Sequence, residues 1–456
     1  MKKIVLSGLA ALTIGTVGAQ ATQFYTDANG QVFTSAAEGR TPLEISEALM
    51  PSKKKSLTIV DEKSPEFILG KQTHINMKIV ADDNSDMWLK AGVRIQGTFE
   101  TKEKDYFDNT RDVNLNDAYL RRVRFEVAAG FNKWTSFVMD VRNDKANYEQ
   151  EGEKTFNVGD AYVQIKKPFD TSLVNFKLFR AKIDVSRTET SKSAFTVHYD
   201  RPHVADEAAQ YITHNRRGTN AQMYGDWEKK VHYQVAFGDG VDEDTMVDAT
   251  GKKYKDVTGN GVVSQDFFFG GKVKFSPFDG WEEKKVTETY FGQGQHFTVG
   301  AAYWRTNNIK TKDTVGTLDH ELMNLELSAH YGGLSMSAEY FAFDGVVKQW
   351  GATETGKSDG WYALAEYVFT DLGYVAPFVR YESWDKYKDA AAGEDYSFTS
   401  TVAGVNWYLM GNSIKAGFSV QQDEYGETLR RLTKTTLGDI GKADETRFKV
   451  TTQFFF

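Results

Sequence analysis

The sequence predicts an all-β fold, a transmembrane antiparallel β-barrel of about 16 strands behind a short N-terminal segment. Three observations predict it. Apolar residues recur at every second position from Met87 onward. The connections between these alternating segments are long and short in turn. The chain closes on an alternating segment that ends in Phe456. Composition narrows the class further. Of 456 residues, 40% are hydrophobic and 26% charged, too polar for a helical membrane protein, while 14% are aromatic, too many for a disordered chain. With Cys at 0, no disulfide framework, thiolate nucleophile or Cys-based metal centre is available. The net charge of -8 gives no electrostatic case for nucleic acid.

The N-terminus reads as an export signal. Met1-Lys2-Lys3 is basic, Ile4 to Gly18 is apolar or small, and Ala19-Gln20-Ala21 is a small-x-small cleavage site. Residues 1–21 are therefore expected to be a signal peptide. Residues 22–85 lack the barrel pattern and are expected to form a periplasmic segment. Within it, Thr41–Met50 suits one short helix with Thr41 as N-cap and Pro42 at the first helical position. Pro51-Ser52-Lys53-Lys54-Lys55 reads as a linker. The barrel is expected over 86–456.

Within the barrel, Leu89 to Gln96 alternates apolar with polar or small residues. The pattern returns in Ala161–Lys166, Leu325–Tyr331 and Ile414–Gln421. Successive strand side chains point to opposite faces, so each such strand has an apolar and a polar face. About sixteen segments suit the ~10 residues of a tilted spanning strand. Their centres fall near Val93, Arg122, Met139, Tyr162, Leu178, Ala221, Gln234, Phe269, Ala301, Leu327, Ala338, Ala365, Val379, Val405, Phe418 and Val450. Short links at Gly130–Lys133, Pro168–Thr171, Tyr331–Gly333, Thr370–Gly373 and Met410–Asn412 alternate with longer polar stretches. One link, Pro277–Gly294, is longer than its place predicts. Outer-membrane barrels keep turns short on the periplasmic side and loops long outside. Trp134, Tyr303, Tyr340, Trp361, Tyr374, Trp407 and Tyr408 sit near strand ends, where membrane interfaces favour Trp and Tyr.

If the apolar face meets lipid, the opposite parity lines the pore. That places Lys90, Arg94, Arg122, Arg124, Arg142, Lys166, Arg180 and Lys182 inside the first five strands, with Glu126, Asp140, Asp144 and Asp160. Arg380, Lys415 and Lys449 follow later, against Glu326, Glu339, Glu366 and Glu382. Such residues either form an anion path or pair across strands and stiffen the wall. The insert Asp184–Ala208 follows strand five; if it folds inward, Arg187, Lys192 and Arg201 are the constriction candidates. His198 and His203 on the same insert read as two solvated histidines more readily than as metal ligands.

Four stretches resemble the phosphate-selective porin O and P family. They are Tyr119–Val127 with its Arg121-Arg122-x-Arg124 core, Asp160-Ala161-Tyr162 followed by Phe179-Arg180-Ala181-Lys182, Pro377–Glu382, and Thr401–Leu409. Phe179-Arg180 stands where that family carries Gly-Gln. The resemblance implies a sixteen-stranded trimeric channel for small anions such as phosphate, without catalysis or cofactor. By position it carries Arg122, Arg124, Lys182 and Arg217 over as basic residues of the path. Its expected surroundings are the outer-membrane lipid and lipopolysaccharide of a Gram-negative bacterium. Two other classes stay open at this point, a barrel enzyme and an adhesin, beside a general or cation-preferring porin. The sequence has no Gly-x-Ser-x-Gly elbow and no His-Glu-x-x-His helix. The acidic stretch Asp239–Asp248 lacks calcium-loop spacing.

Overall fold

The computed structural model describes residues 86–455 except 108–112, 151–154, 259–260, 279–286, 313–315, 352–353 and 433–440. Ahead of residue 86 it describes 25–26, 32–33, 36–38, 40–42, 58–60 and 77–80, so the expected signal peptide lies outside the described residues. The chain divides into two compact units, Met1–Ser56 and Leu57–Phe456.

In the first unit, Tyr25–Thr26 pairs with Val32–Phe33 on one side and Thr41–Pro42 on the other. This corrects the expected helix at its start. Thr41 and Pro42 are extended on a sheet edge, a place that suits a β-branched residue and a proline without an N–H. Residues 43–50 lie outside the described residues.

The second unit is a closed antiparallel barrel. Its strands are β1 Trp88–Asp105, β2 Val113–Gly130, β3 Thr135–Ala146 and β4 Asn157–Ile165. Next come β5 Asn175–Arg180, β6 Asn220–Trp227, β7 Val231–Gly238 and β8 Phe268–Phe275. Then follow β9 Gln295–Thr311, β10 Leu318–Tyr331, β11 Leu334–Val347 and β12 Thr355–Tyr367. The last four are β13 Val375–Asp385, β14 Ser397–Asn412, β15 Ile414–Tyr425 and β16 Asp444–Phe455. Each of the expected centres falls in its own strand. β16 closes the barrel on β1, from Asp444 opposite Asp105 to Phe455 opposite Arg94. Below the end of β16, Met77–Val80 pairs with residues 88–91 of β1 and carries Thr58–Val60 as its own hairpin partner. The barrel sheet therefore recruits residues ahead of 86, the boundary expected from the sequence, because these short segments are rich in β-branched residues.

Parity holds on the outer face. Phe125 and Phe418 are exposed there, while Arg124 and Lys415, their chain neighbours in parity, are buried inside. The inner face is not uniformly polar. On β8 to β14 it carries Phe268, Trp304, Leu322, Phe341, Phe343, Leu364, Phe378, Trp384 and Phe398, all buried. These pack against Ile183, Val185, Val204, Ala205, Ala208 and Ile212 of the segment between β5 and β6. One side of the lumen is thus a hydrophobic core, and the polar side lies along β1 to β7.

Two local departures from ideal strands matter for the lumen. A bulge opposite Gln96 and Gly97 leaves Arg121 unpaired between Leu120 and Arg122. Such a bulge re-aims side chains, and both Arg121 and Arg122 turn inward: Arg121 reaches Asp200 and Arg122 reaches Gln96. In β5, Phe179 has φ of 82°, in the left-handed region that favours glycine. A bulky residue held there costs roughly 1–3 kcal/mol. Phe179 is 57% exposed, so little packing within the protein offsets the strain. Phe179→Gly should therefore raise barrel stability by about 1 kcal/mol once the added chain entropy of glycine is subtracted. The temperature at which the folded band converts to the unfolded one on a detergent gel checks this; a lower temperature would contradict it.

Candidate functional site

The segment 181–219 folds into the lumen and is held there by the wall. It contains two helices, α1 Arg187–Thr190 and α2 His203–Tyr211. A helix start leaves backbone N–H groups without intrahelical partners. Wall carboxylates take them. Glu339 of β11 accepts from Arg187 N at 2.9 Å, Thr188 N at 3.0 Å and Ser186 Oγ at 3.0 Å. Glu382 of β13 accepts from His203 N at 2.9 Å and Val204 N at 2.5 Å. Wall cations take the loop's carbonyl groups. Arg122 donates to Tyr199 O at 2.9 Å, Arg380 to Asp200 O at 2.6 Å and Lys415 to Thr196 O at 2.5 Å. The Asp200 carboxylate bonds Lys449 and, at 2.8 Å, Arg121.

The long link between β8 and β9 has a use in this arrangement. The Glu288 carboxylate accepts from Thr188 Oγ1 and from Val197 N, each at 2.7 Å, and its backbone N–H donates to Phe195 O at 3.0 Å. Arg187 donates to Thr287 O at 2.7 Å. A short periplasmic turn could not reach this far. The link therefore clamps the loop from the side where every other connection is tight.

What the loop leaves open is a cavity of about 1140 Å³. Its lining carries twelve basic residues (Lys90, Arg94, Arg124, Lys166, Lys167, Lys177, Lys182, Lys192, Arg217, Lys229, Lys230 and Lys274) against five acids (Glu126, Asp140, Asp160, Asp184 and Asp226). Several of the bases are paired. Glu126 bridges Arg94 and Lys192, the latter at 2.5 Å. Arg124 holds Asp144 at 2.9 Å, Arg217 holds Asp160 at 2.5 Å, and Lys274 holds Asp184 at 2.7 Å. Lys90, Lys166, Lys167, Lys177, Lys182, Lys229 and Lys230 form no salt bridge among the described residues; Lys182 turns its ammonium to Glu189 O and Ser191 O of the loop, each at 3.4 Å, and the charge of the others is left for a solute.

The sequence-derived candidates divide accordingly. Arg94, Arg124, Lys166, Lys182, Lys192 and Arg217 line the cavity. Arg142 lies directly across from Arg124 in the β2–β3 register but outside the lining. Arg122 is also outside it, because its guanidinium is buried under the loop. Arg180 donates to Gly159 O at 2.8 Å and Arg217 O at 3.2 Å, a backbone staple instead of a pore residue. Of the loop residues, Arg187 is turned to the β8–β9 link. Arg201 is buried against Glu189 and donates to Thr188 O and Ser191 O. Both serve to fold the loop, since a chain crossing a lumen must satisfy its own carbonyl groups. His198 bonds Asp200 O while His203 faces Asp423, so they do not converge. Among the described residues no group of three or more His, Cys, Asp or Glu could hold a metal. Sequence reasoning missed Arg121, which strict parity sends to lipid. The signal was there: two adjacent arginines in one strand cannot both be inside without a bulge. It also missed Lys177, hidden in a short strand of weak alternation.

Solved structures that resemble this chain include an anion-selective porin and an outer membrane channel. An anion-selective porin from Comamonas acidovorans shares 12% identity, with a TM-score of 0.51, covering 81% of this chain and 100% of that one. The outer membrane channel DcaP of Acinetobacter baumannii shares 9% identity with a TM-score of 0.50, covering 81% and 97%. At such identity these likenesses speak for the fold. Among curated proteins nothing matches. The model of the family Phosphate-selective porin O and P matches residues 89–436, nearly the whole barrel. That match, the sixteen-stranded closure and the loop-lined lumen place the chain in the phosphate-selective porin O and P family, as a porin of the Gram-negative outer membrane.

Proposed function

We propose that the channel passes small hydrophilic solutes by diffusion with a modest preference for anions, phosphate among them, and carries out no catalysis. One observation carries this reading: basic residues outnumber acids twelve to five in the cavity lining, and of its lysines only Lys192 and Lys274 have an acidic partner among the described residues. Fixed cations replace part of an anion's hydration with charge-assisted hydrogen bonds. The preference is modest because Glu126, Asp160 and Asp184 neutralise some of the arginines and lysines beside them. Arg124 and Arg142, paired across β2 and β3, extend the same positive wall toward the outer mouth. In a potassium chloride gradient the reversal potential should take the sign of chloride, more strongly at 0.01 M than at 1 M salt, because screening lengths fall from ~30 Å to ~3 Å. A potential of the cation's sign would overturn the reading.

The same proposal has the chain exported by residues 1–21, residues 22–85 in the periplasm, and the barrel set among outer-membrane lipid and lipopolysaccharide. Assembly as a homotrimer follows the family. Mass measurement in detergent should give three chains; one chain with full conductance would contradict it.

A further inference from the structure

The cavity wall pairs its cations with aromatic faces, which an inorganic anion does not need. Tyr162 of β4, Lys177 of β5 and Tyr224 of β6 all line the cavity. The Lys177 ammonium sits 5.6 Å from the Tyr162 ring centre and 5.0 Å from that of Tyr224. The Tyr224 hydroxyl is held by Gln164, which fixes the ring. A second such pairing lines another part of the same cavity: Arg94 and Lys192 lie 5.0 and 5.9 Å from the Phe455 ring centre. The face of an aromatic ring is electron-rich and repels a bare anion. It attracts the lysine beside it, and it stacks with another ring in an offset geometry. A wall built this way offers an ammonium for a carboxylate and a flat apolar surface for the body attached to it.

The geometry points to an aryl carboxylate as a solute class that the cavity binds, with its carboxylate on Lys177 and its ring against Tyr162 or Tyr224. This inference rests on the anion reading above and names the kind of anion favoured. Lys177 has no acid partner among the described residues, so its positive charge is available. The neighbouring Lys90 and Lys166, equally without a salt bridge, raise the local concentration of any anion.

The test uses the full-length protein in planar bilayers bathed in potassium chloride, with benzoate or acetate added as potassium salts. Both carry one carboxylate, and only benzoate has a ring. Benzoate should halve the chloride current at a concentration roughly three- to tenfold below acetate, the range that one aromatic pair supplies. Tyr162→Leu with Tyr224→Leu should bring the two concentrations together. Tyr162→Phe with Tyr224→Phe should keep them apart, since the rings remain. Lys177→Met should weaken block by both. Equal block by benzoate and acetate in the native channel would overturn the inference, as would an unchanged ratio in the leucine variant. The potassium chloride reversal potential separates the two readings. A cation-signed value defeats the anion channel itself; an anion-signed value with equal block defeats only the aryl preference.

Discussion

Replacing Lys90, Lys166 and Lys177 together with glutamate should abolish the anion preference. The three lysines line the cavity without a salt bridge among the described residues, so their charge acts on the solute instead of on a neighbour. The exchange changes the lining from twelve bases and five acids to nine and eight. An anion passing about 7 Å from one lysine gains roughly 0.6 kcal/mol at the dielectric of water. Reversal doubles the change at each site, so three sites amount to a few kcal/mol before salt screening. The reversal potential in a chloride gradient should fall to near zero or change sign at low salt. The barrel should still assemble, because none of the three pairs with a carboxylate that holds the wall. A triple variant with the native reversal potential would place selectivity elsewhere, in Arg94, Arg124 or Arg217.

The barrel was legible because its signal is redundant. A period of two, repeated in segments separated by alternating short and long links, leaves few other folds open. Charged residues of inward parity such as Arg124, Asp140 and Lys415 are buried on the inner face for the same reason. The use of each charge was not legible. Arg122 and Arg124 are two residues apart on one face, yet one anchors Tyr199 O and the other lines the cavity. The difference is made by a loop that arrives from about 80 residues later in the chain, and no spacing along β2 records it. The same holds for the inward aromatic residues of β8 to β14. A strand apolar on both faces reads as irregular in a barrel pattern; it is the mark of a lumen filled by protein. Arg121 shows the opposite case, a bulge whose signal lay in two adjacent arginines.

Cutting the loop from its two acidic anchors should open the channel. Glu339 and Glu382 lie on β11 and β13, both buried, and between them accept from four backbone N–H groups at the starts of α1 and α2, and from Ser186 Oγ. α2 has no side-chain cap of its own, since Pro202 precedes it. A buried donor left unsatisfied costs about 1–3 kcal/mol. Glu339→Ala with Glu382→Ala therefore removes several kcal/mol from loop docking while leaving the backbone hydrogen bonds between strands in place, although Tyr362 OH and Asn324 Nδ2 also lose Glu339 as their acceptor. The remaining anchors, Arg122, Arg380 and Lys415 on the wall and Thr287 and Glu288 on the β8–β9 link, hold the loop's middle and the Arg187 and Thr188 side chains but take none of the four helix-start N–H groups. Single-channel conductance should rise, with open-state noise from a loop that leaves and returns. Trypsin should cut at Arg187 or Arg201, which the native fold buries. Glu382→Gln keeps an acceptor oxygen and should sit between the native protein and the alanine variant. Native conductance together with native resistance to trypsin in the double variant would show that the hydrophobic packing of α2 on β8 to β14 holds the loop without help from the wall carboxylates.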